Sequence, residues 1–197
     1  DWMRQHVNDP YVKQAQAQGY RSRSAYKLIE LLDKDALLGA GYTVVDLGSS
    51  PGSWSQVLAK RVGAAGKVIA LDILDMGPVP GVHFIRGDFQ EITVLNALEQ
   101  VLGNRRLDLV VSDMAPNLSG VSSADQARSI YLCELALEFS SKHLKKKGNF
   151  LLKVFQGAGF PEFQKTMRER FQSVASRKPR ASRDRSSELY LLGKGLK

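Results

Sequence analysis

From Thr43 onward the apolar positions fall in short blocks, each followed by a stretch with helical spacing. The blocks Thr43–Leu47, Lys67–Leu71, Val82–Arg86, Leu107–Ser112 and Asn149–Phe155 read as strands. Most lack the apolar/polar alternation of a sheet with one wet face, so they predict a parallel sheet covered on both sides. Ser53–Val62, Glu91–Leu102 and Ala124–Leu144 are the intervening helices; in the last, Ile130, Cys133, Leu137 and Leu144 share a face, which makes Cys133 a core residue. A further helix is expected over Pro161–Phe171, then two more strands, Ser173–Arg177 and Glu188–Leu192. The link between those two is too short for a helical crossover, so they should pair antiparallel. The expected fold is α/β and Rossmann-like: a doubly wound, mostly parallel sheet of seven strands, closing on an antiparallel hairpin, with helices on both faces.

The first forty residues are helical and basic in pattern. Asn8-Asp9-Pro10 supplies a capping side chain followed by proline, and Ser24 opens a helix whose Leu28, Ile29, Leu31 and Leu32 form an apolar stripe. No repeat or linker divides the chain, which therefore reads as one domain over 1–197 with a basic helical extension at 1–40. No apolar run approaches the ~20 residues of a membrane span, and no signal-peptide pattern is present. A cytoplasmic monomer is the expectation.

Cys133 is the only cysteine, and His6, His83 and His143 lie far apart, so neither a disulfide nor a metal site is expected. The net charge of +8 favours a polyanionic partner.

Candidate chemistry begins at the end of the first strand. Asp46-Leu47-Gly48-Ser49-Ser50-Pro51-Gly52-Ser53-Trp54 is a strand, a tight glycine turn and a helix start, which lets a ligand approach the backbone. It is neither the G-x-G-x-x-G fingerprint nor a P-loop, so a dinucleotide or a nucleoside triphosphate is disfavoured. Asp72 closes the second strand, where an acid can hold the hydroxyls of a ribose, and Asp88 follows the third, where it can accept from an adenine amine.

This arrangement resembles the FtsJ/RrmJ family of RNA ribose 2′-O-methyltransferases, whose first motif is similar to D-L-G-S-S-P-G-S-W-S-Q here. The resemblance implies a class I methyltransferase fold and S-adenosylmethionine as cofactor, held by positions matching Gly48, Gly52, Trp54, Asp72, Asp88 and Asp113. Ser49, Ser50 and Ser53 replace the Ala-Ala and Gly more frequent in the family.

Asp113, at the end of the fourth strand, and Lys153, in the fifth, come to neighbouring strand ends; a Lys in an apolar strand must be paired or work in a cleft. R-S-R-S-A-Y-K and S-S-E-L-Y resemble the family's outer motifs and add Lys27 and Glu188. The implied tetrad is Lys27, Asp113, Lys153 and Glu188. A ribose hydroxyl must lose its proton as it attacks, which a neutral Lys153 can accept while Asp113 orients it and Lys27 and Glu188 position the ribose. The plain alternative is a structural Asp113–Lys153 ion pair.

Asp-Met-Ala-Pro at 113–116 lacks the aromatic of base-amine methyltransferases, and Cys133 is badly placed for attack on a pyrimidine carbon. A non-enzymatic RNA-binding module would explain the charge but not the series of acids. Arg21, Arg23 and Lys27 precede the sheet, and Arg177, Lys178, Arg180, Arg183 and Arg185 surround the last hairpin, making two candidate RNA-binding patches. Lys145-Lys146-Lys147 instead reads as a helix end, where cations offset the dipole. R-S-R-S-A-Y-K, D-M-A-P-N-L-S-G and K-V-F-Q-G are similar to the bacterial ribosomal branch of the family, implying a uridine ribose in large-subunit ribosomal RNA, with transfer RNA or another structured RNA as the alternative.

Overall fold

A computed structural model describes residues 2–197. Seven strands, β1 (Thr43–Leu47), β2 (Lys67–Asp72), β3 (Val82–Arg86), β4 (Leu107–Ser112), β5 (Leu144–Phe155), β6 (Phe171–Arg177) and β7 (Glu188–Leu196), form one sheet in the order β3-β2-β1-β4-β5-β7-β6. β3, β2, β1, β4 and β5 run parallel, and β7 is antiparallel to both of its neighbours. The expected hairpin exists, but its second strand is slotted between β5 and β6, so the chain leaves β5 for the edge and then returns inward.

Helices cover both faces, as the continuously apolar strands require. One face carries α3 (Ala25–Asp35) and α4 (Ser53–Val62), whose Leu28, Leu32, Trp54 and Leu58 pack on Val44, Val111, Leu151 and Tyr190. The other carries α5 (Ile92–Leu102), α6 (Ser122–His143) and α7 (Phe160–Arg170), packed on Val45, Leu71, Val110 and Leu152. α1 (Trp2–Asn8) buries no residue and α2 (Pro10–Gln18) buries only Ala15. Asp9 caps α2 by accepting from the Tyr11 amide, with Pro10 in the first turn. The basic N-terminal segment is thus divided: α1 and α2 lie outside the core, whereas α3 is a full member of a layer.

α6 stops at His143, one residue before the expected end, and Leu144 turns extended to pair with Leu107. Lys145–Lys147 therefore belong to the start of β5, just beyond the helix terminus. Cys133 is buried in the core, and burial pushes its thiol up to about 12. No helix among the described residues is long and apolar enough to cross a membrane.

Candidate active site

In parallel strands that share a register, every carboxyl end falls at one edge, so residues following β1, β2, β3 and β4 converge there. Gly48, Asp72, Asp88 and Asp113 do so and line one cleft together with Ser50, Leu71, Phe89 and Met114. Gly48 has φ 77°, and a Cβ on it would lie 2.8 Å from the Met114 amide nitrogen, so only glycine lets the loop after β1 meet the loop after β4.

The carboxylates are placed by the backbone. Asp72 accepts from the amides of Ser50 (2.8 Å) and Leu74 (2.9 Å), which locks its orientation toward the glycine turn. Asp88 accepts from the Gln90 amide through one oxygen (2.9 Å), leaving the other unbonded. Gly52 caps α4 with φ 119° and does not itself line the cleft. The Trp54 side chain turns into the core, where its indole N–H donates to the carbonyl and hydroxyl of Ser24 (2.9 and 3.0 Å).

The second constellation lies where β4, β5 and β7 meet. Lys153 is opposite Tyr190 in the antiparallel register and Phe155 is opposite Glu188, so alternation puts all four side chains on one face of the sheet. That is the α3 face, from which the Lys27 ammonium reaches Glu188 Oε1 at 2.7 Å. The Lys153 ammonium lies 3.4 Å from Asp113 Oδ1 and 3.3 Å from the Asp113 carbonyl. The four residues named from the sequence thus form two ion pairs, and the Lys153 pair adjoins the cleft through Asp113, which lines it.

Tyr190 completes the group, although no site role was assigned to it from the sequence. Its hydroxyl donates to Asp113 Oδ1 at 3.0 Å, and burial beside Asp113 and Glu188 raises its own proton affinity, so it remains a donor. The alternation of β7 was the available signal, since Tyr190 stands two residues after Glu188 and shares its face. Desolvation raises Asp113 against the opposing pull of Lys153, Lys27 and the Tyr190 hydrogen bond. Glu188 is also pushed up by burial, but the Lys27 hydrogen bond and the charges of Lys27 and Lys153 outweigh this and hold it below the ordinary range. Asp46, at the base of the glycine turn, is the other unassigned group. It is wholly buried, its Oδ2 accepts from the Ser55 hydroxyl (2.8 Å), and its Oδ1 has no partner among the described residues.

The basic residues fall into two sets. Arg21 donates to the carbonyls of Pro51, Gly77 and Pro78, tying the N-terminal segment to the rim of the cleft. Arg23 pairs with Asp9 and donates to the Ala181 carbonyl, Arg177 grips Asp35 through two nitrogens, and Lys178 donates to the carbonyls of Ser186 and Glu188. Arg180, Arg183 and Arg185 are exposed, and among the described residues their guanidinium groups have no hydrogen bond or ion pair.

The family model of the FtsJ-like methyltransferases matches residues 20–196. The chain belongs to that family. Among curated relatives, the ribosomal RNA large subunit methyltransferase E of Chromobacterium violaceum is 64% identical over 99% of this chain and 95% of its own length. The protein of the same name from Azoarcus sp. is 62% identical over 100% of this chain and 96% of its own. Among solved structures, a Plasmodium falciparum protein described as a ribosomal RNA methyltransferase is 30% identical with TM-score 0.80, covering 90% of this chain and 98% of that one. A Streptococcus mutans protein described as a methyltransferase, solved in complex with S-adenosylhomocysteine, is 12% identical with TM-score 0.55, covering 88% and 96%, and shares the fold. The protein is a methyltransferase of this family, with the fold expected from its strand pattern.

Proposed function

We propose that this methyltransferase transfers the methyl of S-adenosylmethionine to a ribose 2′-hydroxyl of large-subunit ribosomal RNA. The observation that carries the cofactor assignment is the charge of the cleft. Asp72, Asp88 and Asp113 line it and no Lys or Arg does, in a protein of net charge +8. Such a site suits a cationic ligand and repels phosphates, and S-adenosylmethionine, whose ammonium and sulfonium outweigh its one carboxylate, is a net cation joined to an adenosine. Asp72 is placed for the ribose of that adenosine and Asp88, with its unbonded oxygen, for the adenine, while Leu71, Ile73, Phe89 and Met114 offer apolar walls.

When bound, the cofactor supplies an electrophilic methyl group. The protein must bring a hydroxyl in line and accept its proton or its developing charge. Lys153 is the group for this, since its largely buried ammonium is held beside the cleft by the carboxylate and carbonyl of Asp113, which lines it. Tyr190 fixes Asp113 from beneath, and the Lys27–Glu188 pair forms a polar rim against which a ribose can be oriented. The RNA assignment is supported by the names of the curated relatives and by the three unengaged arginines in the segment preceding Glu188.

The test is methyl transfer from labelled cofactor to naked large-subunit RNA, intact large subunits and transfer RNA, followed by mapping of the product. Label on a ribose of large-subunit RNA is expected. Label on a base, or on transfer RNA alone, overturns the reading.

A further inference from the structure

We propose that a groove beside the tetrad, lined by Pro116, Leu118, Gln126, Phe155 and Ser187, receives the nucleobase of the nucleotide being methylated. The proposal rests on the ribose-methylating function above and deepens it. The groove has a volume of about 710 Å³, within the ~300–1,000 Å³ of small-molecule sites. It adjoins the acidic cleft across Ala115 and Pro116, which line both. Phe155 lies two residues beyond Lys153 on the same strand face, and Ser187 immediately precedes Glu188, so the tetrad sits at the junction of the two spaces. In a nucleoside the 2′-hydroxyl and the base stand on adjacent ribose carbons. A hydroxyl held at Lys153 therefore carries its base into the immediate surroundings of Phe155.

The lining suits a base and not a phosphate. Asp125 is its only charged side chain, and that carboxylate is already engaged by the Ser119 amide (2.8 Å), the Ser119 hydroxyl (2.7 Å) and the Gly120 amide (3.2 Å). These bonds anchor the loop that carries Pro116 and Leu118. Leu118 is 81% exposed, a large apolar side chain lining the same open groove as Phe155. Flat apolar surfaces of this kind are what an unstacked base packs against.

Gln126 adds an oriented polar contact. Its side-chain nitrogen donates to the carbonyls of Phe155 (3.0 Å) and Ala158 (3.1 Å), which fixes which end of the amide is oxygen. The remaining Oε1 is an acceptor with no partner among the described residues, and it is not sealed from solvent. A fixed acceptor selects a base that presents an N–H on its pairing edge. Both pyrimidines meet this, uracil with its imide N–H and cytosine with its exocyclic amine, so the acceptor orients the base without by itself distinguishing the two.

Two measurements on the full chain test the proposal. Large-subunit RNA carrying 4-thiouridine at the mapped target is irradiated in complex with the protein and S-adenosylhomocysteine, and the cross-linked peptide is identified. The expected cross-link falls within 115–129 or 155–158. In parallel, Leu118→Glu should raise KM for the RNA about tenfold or more, with a smaller change in kcat and unchanged cofactor affinity; Leu118→Ala should show a weaker effect in the same direction. A cross-link to α1, α2 or 180–186 with ribose methylation intact removes this proposal alone, as does an unaltered KM in both variants. A wild-type protein that methylates no ribose removes the function reading and this one together.

Discussion

The proposed function divides single side chains between binding and chemistry, and their removal should divide the same way. Asp72→Ala takes away a carboxylate preset by two amides, and charge-assisted hydrogen bonds contribute about 1.5–3 kcal/mol. Calorimetry should show the affinity for S-adenosylmethionine falling at least tenfold. Lys153→Ala should leave that affinity nearly unchanged while single-turnover methylation drops by about 10²-fold or more. Near-normal turnover would make the Lys153–Asp113 contact a structural ion pair only. Asp46 gives a third prediction. Burial, with smaller help from Asp113 and Asp72, pushes its carboxyl up to about 7 against the Ser55 hydrogen bond, from an ordinary 3.8. The folded state therefore binds more protons than the unfolded chain between those values. The stability this group contributes is complete below the unfolded value and is lost as pH rises through about 7. Urea denaturation at pH 5 and pH 8 should show a decline of roughly 2–3 kcal/mol that Asp46→Asn lacks. Asp113 and Lys153 were legible in the sequence because a charged residue in or at the end of an apolar run demands a reason, whereas Lys27 and Glu188 were implied only by the resemblance of their motifs to those of the family. Tyr190 and Asp46 were not singled out: a tyrosine inside an apolar strand passes as core, and the partnerless oxygen of Asp46 depends on packing from another element.

Elements were legible wherever a local pattern decides them. β1, β3 and β4 have the expected bounds, and β2 gains only Asp72, because their apolar runs end in glycine turns or polar loops. β7 extends to Leu196, past the expected Leu192, because Gly193 and Gly195 interrupt the apolar pattern without interrupting the strand. A Cβ on Gly193 would lie 2.6 Å from the Phe171 ring, so the break in the pattern is itself a packing contact. Its slot between β5 and β6 was not legible, since sequence adjacency predicts a hairpin but not which of its strands faces the sheet. Trp54 marks the boundary between element and site. Its indole joins α4 to the start of α3, the helix that supplies Lys27. Trp54→Phe should cost about 1–2 kcal/mol in chemical denaturation through the broken hydrogen bonds, with cofactor affinity retained. A loss of affinity without a loss of stability would restore this side chain to the binding site.

At the scale of the whole molecule, the excess of +8 matters through its distribution. Arg21, Arg23, Arg177 and Lys178 brace the fold, whereas the guanidinium groups of Arg180, Arg183 and Arg185 have no partner among the described residues. Changing those three to Glu should weaken binding of large-subunit RNA and flatten its salt dependence, by about one unit of slope for each phosphate no longer neutralised. Filter binding across a salt series, with cofactor affinity as the control, reads both. The position of β7 has a different kind of consequence. Synthesis makes it after every other strand, yet it carries Glu188 and Tyr190 and is the sole partner of β6. A growing polypeptide can therefore assemble the acidic cleft while Asp113 and Lys153 still lack their companions and the flank of β5 lies bare. For that interval the unpaired edge of β5 is the surface most in need of a chaperone.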